Sequence, residues 1–432
     1  MPISPYASTL NDILNAEHPS LLAALSKRGK SIYFPHAGIL GQTAEAKGKS
    51  INATIGIAVG DDGAPLHLSS IANTIALPPA SIFPYAPGFG LAALRSAWFA
   101  ELVRKNPSLF ASSFTLPVVT GGLTHSLSIA GYLFTDEGDD IIVPEPHWDN
   151  YGLLYEQTYG ATLSTFPLFA KDGFNLDGLR EHLRSHSGKQ ILLLNFPNNP
   201  TGYSPLRFEA DDIVMILRES AEAGNTVIVL LDDAYFGLVH DEDVYPESLF
   251  SLLANLHERI IAVKIDGCSK EDYAWGLRVG FLTYGMKGLT KDVVRVLEDK
   301  TAGAVRATVS NACHLSQSLL LASLRDPSSA RDRTHHADLL RRRYKKLKSL
   351  LEESSPNFRL LPCNSGYFLC VELADGIDVD RVRRLLLDEY GTGVIALGSL
   401  IRIAFSSVPE SNMEQLVRNI REACSRASSF AS

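Results

Sequence analysis

The run IIAVKIDGCSKEDYAWGLRVGF, residues 260 to 281, decides how this chain is read. Its opening residues are short, apolar and β-branched, the pattern of a strand buried on both faces. Gly267, Cys268 and Ser269 then deliver a lysine, Lys270, to the end of the run, and Arg278 follows eight positions on. A lysine at the mouth of an apolar sheet is poorly solvated. Desolvation lowers its proton affinity and exposes a nucleophilic amine suited to a Schiff base. Lys264 competes for that role, but it lies inside the strand and lacks the following loop, so Lys270 ranks first.

Working outward, TLPVVT (115–120), DIIVP (140–144), ILLLNF (191–196) and TVIVLLD (226–232) have the same character and are predicted as buried parallel strands. Between them lie helix-length segments such as DDIVMILRESAEAG (211–224), with apolar positions at helical spacing and Gly224 as a C-terminal stop. Strand and helix alternate, which predicts an α/β sheet covered by helices. RTHHADLLRRRYKKLKSLLEE, ending at Glu353, predicts a long charged helix, and SSPNF breaks it. Beyond it, GYFLCVEL, DVDRVRRLLLDEY and LIRIAFS alternate strand, helix and strand as a smaller second α/β layer would.

A chain of 432 residues with 45% apolar content can build a large core in about two to three domains. The net charge of -8 argues against nucleic acid as a partner, and RRRYKKLK (341–348) is expected to be one solvated face of its helix. No apolar run is long enough to cross a bilayer, and the N-terminus lacks a cationic segment followed by an apolar one, so no membrane partner and a cytoplasmic location are expected. Five scattered cysteines without a CxxC pair support neither a disulfide framework nor a zinc or other metal site; buried, reduced thiols are expected.

Ligands of α/β sheets gather at the carboxyl ends of strands, so the residues leaving each run carry the chemistry. After PVVT comes GGLTHSL, where glycines, Leu123 and Thr124 open a helix and offer backbone N–H groups, a hydroxyl and a positive dipole end to a phosphate. After DIIVPEPH comes Trp148, placed to stack on a flat ring or simply to pack. After ILLLNF comes PNNPTG, where Asn199 is a donor to a ligand oxygen or an Asx turn, and Asn199–Pro200 is a candidate cis bond. After TVIVLL comes DDAYFG: a carboxylate, Asp232, then Tyr235. Buried there, Asp232 needs a cationic or hydrogen-bonding partner such as a protonated ring nitrogen, unless it merely caps a helix. Arg278 is placed to pair with a phosphate.

In this order, over nearly the whole chain, these parts resemble the class I and II aminotransferases, pyridoxal-phosphate enzymes of fold type I, in their aspartate and aromatic branch. The resemblance implies a large domain with a mostly parallel seven-stranded sheet covered by helices, and a smaller α/β domain built from both termini. The boundaries expected are 1–60 for the N-terminal arm and part of the small domain, 61–330 for the large domain and 331–432 for the C-terminal small domain. It implies Lys270 as the Schiff-base lysine and Asp232 at the pyridine nitrogen, with Tyr235 and Asn199 at the 3-hydroxyl and Trp148 stacked on the ring. Leu123 (through its N–H), Thr124, Ser269 and Arg278 would form the phosphate cup. Tyr85, in YAPGFGLAALR, would reach the phosphate of a neighbouring subunit, which implies a homodimer with active sites at the interface.

Arg402, in LIRIAFS, would take the substrate α-carboxylate, and Gly56, in INATIGIA, would lie in the segment that closes over it. Arg306, in RATVSN, stands where aspartate enzymes of the family grip a side-chain carboxylate; a local salt bridge is its other reading. An aspartate or glutamate donor with 2-oxoglutarate as acceptor is therefore favoured, aromatic donors being compatible. Two positions depart from the family: Gly267, where many members carry a phosphate-binding serine, and Tyr151, where aspartate-type members have a histidine behind the carboxylate. Rival readings are a lyase or decarboxylase on the same scaffold and a non-catalytic cofactor-binding regulator. GFGLAA (88–93) fits a dinucleotide fingerprint but follows FPYAP in place of a strand, and GCSKE does not complete a hydrolase elbow.

Overall fold

The structure, a computed structural model, describes residues 3–36 and 38–428. Its centre is a seven-stranded sheet made of β1 (Val118–Thr120), β2 (Asp140–Glu145), β3 (Thr162–Pro167), β4 (Lys189–Asn195), β5 (Thr226–Asp232), β6 (Ile260–Gly267) and β7 (Gly280–Gly285). Their spatial order is β1-β7-β6-β5-β4-β2-β3. Only β7 runs against the rest, pairing antiparallel with both β1 and β6. The fold is the mostly parallel α/β sheet that the alternation of strands and helices predicts.

Alternate residues of the central strands divide between the two faces, as the two-residue side-chain period requires. Leu192, Leu194, Val229, Leu231 and Ala262 pack on one face, which is called the rear here. Ile191, Leu193, Ile228, Leu230, Val263 and Ile265 pack on the other, the front. Each of these Leu, Ile and Val side chains contributes about 1.5–3 kcal/mol by leaving water, so a one-residue slip in register would be prohibitive. That alternation sends Asp232 to the front and Lys264 to the rear.

The strand β3 was not anticipated from sequence. It is an edge strand in which only Phe166 is fully buried, so it carries no continuous apolar signal. The order of β1 and β7 was also not legible, because an antiparallel return has the same composition as a parallel strand.

The helix α1 (Ala92–Lys105) covers the rear and α2 (Leu123–Phe134) follows β1. The expected helix near 211–224 is α3 (Arg207–Glu222), with Gly224 just past its end at φ 98°. Later helices are α4 (Lys291–Thr308), α5 (His314–Arg325) and α6 (Ser328–Glu352). The second sheet is antiparallel and comprises β8 (Phe358–Leu360), β9 (Phe368–Leu373), β10 (Ile395–Leu397) and β11 (Leu400–Ala404) in the order β8-β9-β11-β10. Residues Ile51 and Asn52 pair in parallel with Thr392 and Gly393, which ties the N-terminal segment to this second layer.

Two expectations are corrected here. The basic run on α6 is not simply a solvated face: Arg343 is fully buried, donates to the Val59 and Ser406 carbonyls at 2.7 and 3.0 Å, and pairs with Asp61 at 2.7 Å. Tyr344 beside it is buried too. A long helix packed along one side buries part of a charged run, and the charges there must then find partners. Of the cysteines, Cys268, Cys363, Cys370 and Cys424 are buried thiols, but Cys313 is exposed; all five are free. Among the described residues no helix is long and apolar enough to span a membrane, and no three His, Cys, Asp or Glu residues are grouped to hold a metal ion.

Candidate active site

The carboxyl ends of β4, β5 and β6 lie side by side, with Asn195, Asp232 and Ile265 in register. Asp232 is only 3% exposed. The Tyr151 hydroxyl donates to its Oδ2 at 2.6 Å, the Ala234 N–H to its Oδ1 at 3.2 Å, and the Asn195 amide to its backbone carbonyl at 2.8 Å. Burial pushes the carboxyl pKa up to about 6, while the Tyr151 hydrogen bond and the Lys270 charge pull it down. No helix starts at this turn, so Asp232 is not a helix cap.

Lys270 leaves the loop after β6. It is half-buried, and its Nζ lies 5.2 Å from the centre of the Tyr235 ring. Its backbone carbonyl accepts from the Tyr367 hydroxyl at 2.9 Å and from the Tyr273 N–H at 3.2 Å, which fixes the loop. Desolvation lowers its pKa to about 8 against the opposing pull of Asp232, and Arg278 adds to the lowering. Among the described residues it has no ion-pair partner.

The loop before α2 comes close to the same place. Gly122 has φ 98°, and a side chain there would bring a carbon within 2.5 Å of the Arg278 guanidinium. Arg278 therefore lies against the first turn of α2, where Leu123 and Thr124 present free N–H groups. Ser269 is fully buried, yet its hydroxyl has no hydrogen-bond partner among the described residues. Such a hydroxyl costs about 1–3 kcal/mol unless a ligand satisfies it. A helix start, a guanidinium and an orphaned hydroxyl fit a phosphate group. At Gly267 an added Cβ would meet the Val279 carbonyl oxygen at 2.6 Å. The close approach of β6 to the chain entering β7 leaves no room for a serine there.

Trp148 is half-buried and stands edge-on to Tyr151, their rings at 82° with centroids 5.5 Å apart. Asn199 follows the cis Phe196–Pro197 bond and precedes the cis Asn199–Pro200 bond. Its N–H donates to Asn195 Oδ1 at 2.8 Å, and its Oδ1 accepts from Arg402 Nη1 at 3.1 Å. Arg402 is 2% exposed, donates through Nη2 to the Thr54 carbonyl at 3.0 Å and lies 4.3 Å over the Phe368 ring. Its Nε has no partner, no carboxylate forms a salt bridge with it among the described residues, and burial lowers its pKa.

The structure thus gathers Asp232, Tyr235, Lys270, Asn199 and Arg402 at the strand ends, with Leu123, Thr124, Ser269 and Arg278 along one side and Trp148 and Tyr151 along another. Gly56 lies two residues beyond Thr54, where an added Cβ would come 3.9 Å from the Phe368 ring. Tyr85 and Arg306 are not brought into this group: Tyr85 is 90% exposed, and exposed Arg306 donates to Ser310 Oγ at 2.6 Å. Sequence reasoning passed over Asn195, which links Asp232 to Asn199, and Thr54 and Phe368, which seat Arg402. Asn195 was detectable as the one polar residue closing the apolar run of β4; the other two act through a carbonyl and a ring face, for which sequence has no signal.

Comparison with known proteins gives the family. Residues 70–420 match the family model for aminotransferase class I and II. The chain belongs to that family, whose members transfer amino groups with pyridoxal phosphate. Among curated relatives it is 24% identical over 341 residues to an aspartate aminotransferase of Bacillus sp. (strain YM-2), covering 75% of this chain and 79% of that one. It is 26% identical over 251 residues to a probable aspartate/prephenate aminotransferase of Aquifex aeolicus (strain VF5), covering 57% of each. Among solved structures, an aminotransferase from Anaerococcus prevotii superposes with a TM-score of 0.82 at 23% identity, over 92% of this chain and 98% of that one. The fold is accordingly that of the fold type I aminotransferases.

Proposed function

We propose that this aminotransferase holds pyridoxal phosphate through Lys270. Asp232 would face the ring nitrogen, Tyr235 and Asn199 the 3-hydroxyl, Trp148 the ring, and Leu123, Thr124, Ser269 and Arg278 the phosphate. The observation that carries this reading is a pair of desolvated cations, Lys270 and Arg402, that no carboxylate in ion-pair contact neutralises among the described residues. A buried charge without a partner is costly, so Arg402 asks for an anionic ligand, while the lowered pKa of half-buried Lys270 suits a carbonyl partner.

When bound, the cofactor supplies an electron sink for the bonds at the substrate Cα. The chain's own residues do the rest. Arg402, with Asn199 beside it, takes the α-carboxylate as a two-pronged donor. Asp232, as an anion, keeps the ring nitrogen protonated. Lys270, its pKa lowered by desolvation to about 8, would serve through Nζ as the general base for the Cα proton. Buried Phe368 and Tyr235, whose rings meet edge-on 5.6 Å apart, would keep water from that side.

The donor is proposed to be aspartate or glutamate, with 2-oxoglutarate as acceptor and aromatic donors admitted. The names of the relatives support this, as does Arg306 if the partner copy of a homodimer presents it. Exposed Tyr85 and Phe83 support such a dimer. The pairing of Ile51 with Thr392 supports a small domain drawn from residues 1–60 and 331–432 around a large one of 61–330. A cytoplasmic site of action completes the reading.

The test is to load the protein with pyridoxal phosphate and titrate it with L-aspartate without acceptor, following the visible spectrum. Conversion to the amine form of the cofactor is expected. A visible band that neither L-aspartate nor L-glutamate moves removes the dicarboxylic donor, and aromatic donors are then tried; loss of carbon dioxide or of the side chain in place of amino transfer would mark a lyase. Failure to form any band overturns the assignment of Lys270.

A further inference from the structure

Lys264 is a buried charged residue that the proposed reaction does not use. It sits in the middle of β6, is 1% exposed, and points to the rear face, away from Lys270. Its Nζ bonds directly to Asp233 Oδ2, stands 3.5 Å from Asp266 Oδ2, and lies 4.6 Å from the centre of the Phe236 ring. Asp233 also accepts from the Ser248 hydroxyl at 2.6 Å, and its N–H donates to the Ile265 carbonyl at 2.9 Å. Asp266 accepts from Trp98 Nε1 at 3.2 Å. The charged groups of the surrounding elements are Glu101 and Lys105 on α1 and Glu271 after Lys270, Lys105 and Glu271 pairing at 2.6 Å.

An ammonium in an apolar strand is expensive to bury, so its place asks for a reason. Asp233 directly follows Asp232, and the two carboxylates point to opposite faces of one strand end. Two adjacent buried anions oppose each other's ionisation, and Asp233 does raise the pKa of Asp232. Lys264 lies on the far side of Asp233 and offsets that charge.

We propose that Lys264 is a positioning residue for the active site: by pairing with Asp233 behind the sheet it holds the Asp232-Asp233 turn and keeps Asp232 in its anionic form. The inference rests on reading Asp232 as the partner of the cofactor ring nitrogen. It adds that the site is tuned from the opposite face of the sheet, by a residue that touches neither cofactor nor substrate.

The experiment is a carbon-13 NMR titration of the Asp232 carboxyl in the full chain, assigned with Asp232→Asn, before and after adding pyridoxal phosphate. The protein without cofactor reports on Lys264 whether or not the cofactor assignment holds. Lys264→Met should move the Asp232 midpoint up from its starting value by about half a unit or more. Asp233→Asn, which leaves the cation and removes the anion, should move it down. Asp233→Asn with Lys264→Met should return it close to the starting value. An unmoved midpoint in Lys264→Met, or a double variant shifted as far as that single one, overturns the proposal. If Lys264→Met does not fold, Asp233→Asn and the conservative Lys264→Arg decide: a downward shift in the first and a near-normal midpoint in the second uphold it, and any other pair of results overturns it. If the midpoints behave as expected but no visible band forms with pyridoxal phosphate, the tuning stands and the cofactor reading falls.

Discussion

The two faces of the central sheet each carry a desolvated lysine, six residues apart in the chain, and the two have opposite fates. Behind the sheet, Asp233 and Asp266 more than offset the desolvation of Lys264 and raise its pKa. In front, Lys270 has Asp232 within electrostatic reach but not in contact, and desolvation wins, taking its pKa to about 8. Removal from water acts in the same direction on both. The distance to a carboxylate separates a fixed cation from a reactive amine.

The comparison breaks most decisively at Lys270. Lys270→Ala is expected to lower turnover by about a thousandfold or more, since it removes the group proposed to move the proton. Lys264→Met should retain far more activity. Equal losses, measured as single turnovers, would mean that the two faces are not functionally distinct.

Stability should rank them the other way. Lys264→Met strands a buried carboxylate and is expected to cost ~3–5 kcal/mol in denaturant unfolding of the cofactor-free protein. A cost under about 1 kcal/mol would mean that the pair is dispensable. The pH dependences differ in sign. The folded pKa of Lys270 lies below its unfolded value of about 10.4, so the native state binds fewer protons between about pH 8 and 10.4 and gains stability as pH rises through that window. Lys264 has a raised folded pKa, so its contribution is complete below about pH 10.4 and is lost as pH rises through that higher value. Unfolding midpoints of Lys270→Met and Lys264→Met should therefore approach the wild type differently: the gain from the first shrinks above pH 8, while the deficit of the second persists.

Two smaller effects sharpen the front face. Arg402→Lys replaces a two-pronged donor by a point charge and should raise the KM for donor and acceptor by about 10- to 100-fold, with less change in kcat. An unchanged KM would remove Arg402 from the carboxylate site. Tyr151→Phe deletes one buried hydrogen bond to Asp232 and should cost ~1 kcal/mol of stability. Because that bond lowers the Asp232 pKa, its loss should raise the midpoint above about 6, and a downward shift would contradict the geometry.

Much of the fold was legible in the chain. TVIVLLD was read with the bounds that β5 has, because a strand buried on both faces advertises itself as a continuous β-branched run. Thr162–Pro167 was not, since an edge strand with mostly exposed side chains looks like loop. Ser269 was read as a phosphate ligand from its resemblance alone; that its hydroxyl is buried and orphaned depends on segments far away in sequence. Arg343 shows the reverse failure, a buried cation hidden in a run that reads as solvated.

By itself the sequence determined the order of chemical groups at the strand ends, Gly122-Leu123-Thr124, Trp148, Asn199, Asp232 and Lys270, because strand composition and turn residues are local properties. The tertiary structure alone decided which lysine meets carboxylates, that Arg402 is buried without an ion-pair partner among the described residues, that Tyr151 donates to Asp232, and that Gly267 has no space for a side chain. The physical reason is that desolvation and charge pairing are set by neighbours brought from distant parts of the chain. The two-residue period of a strand separates Lys264 from Lys270 only once register and packing say which face is which.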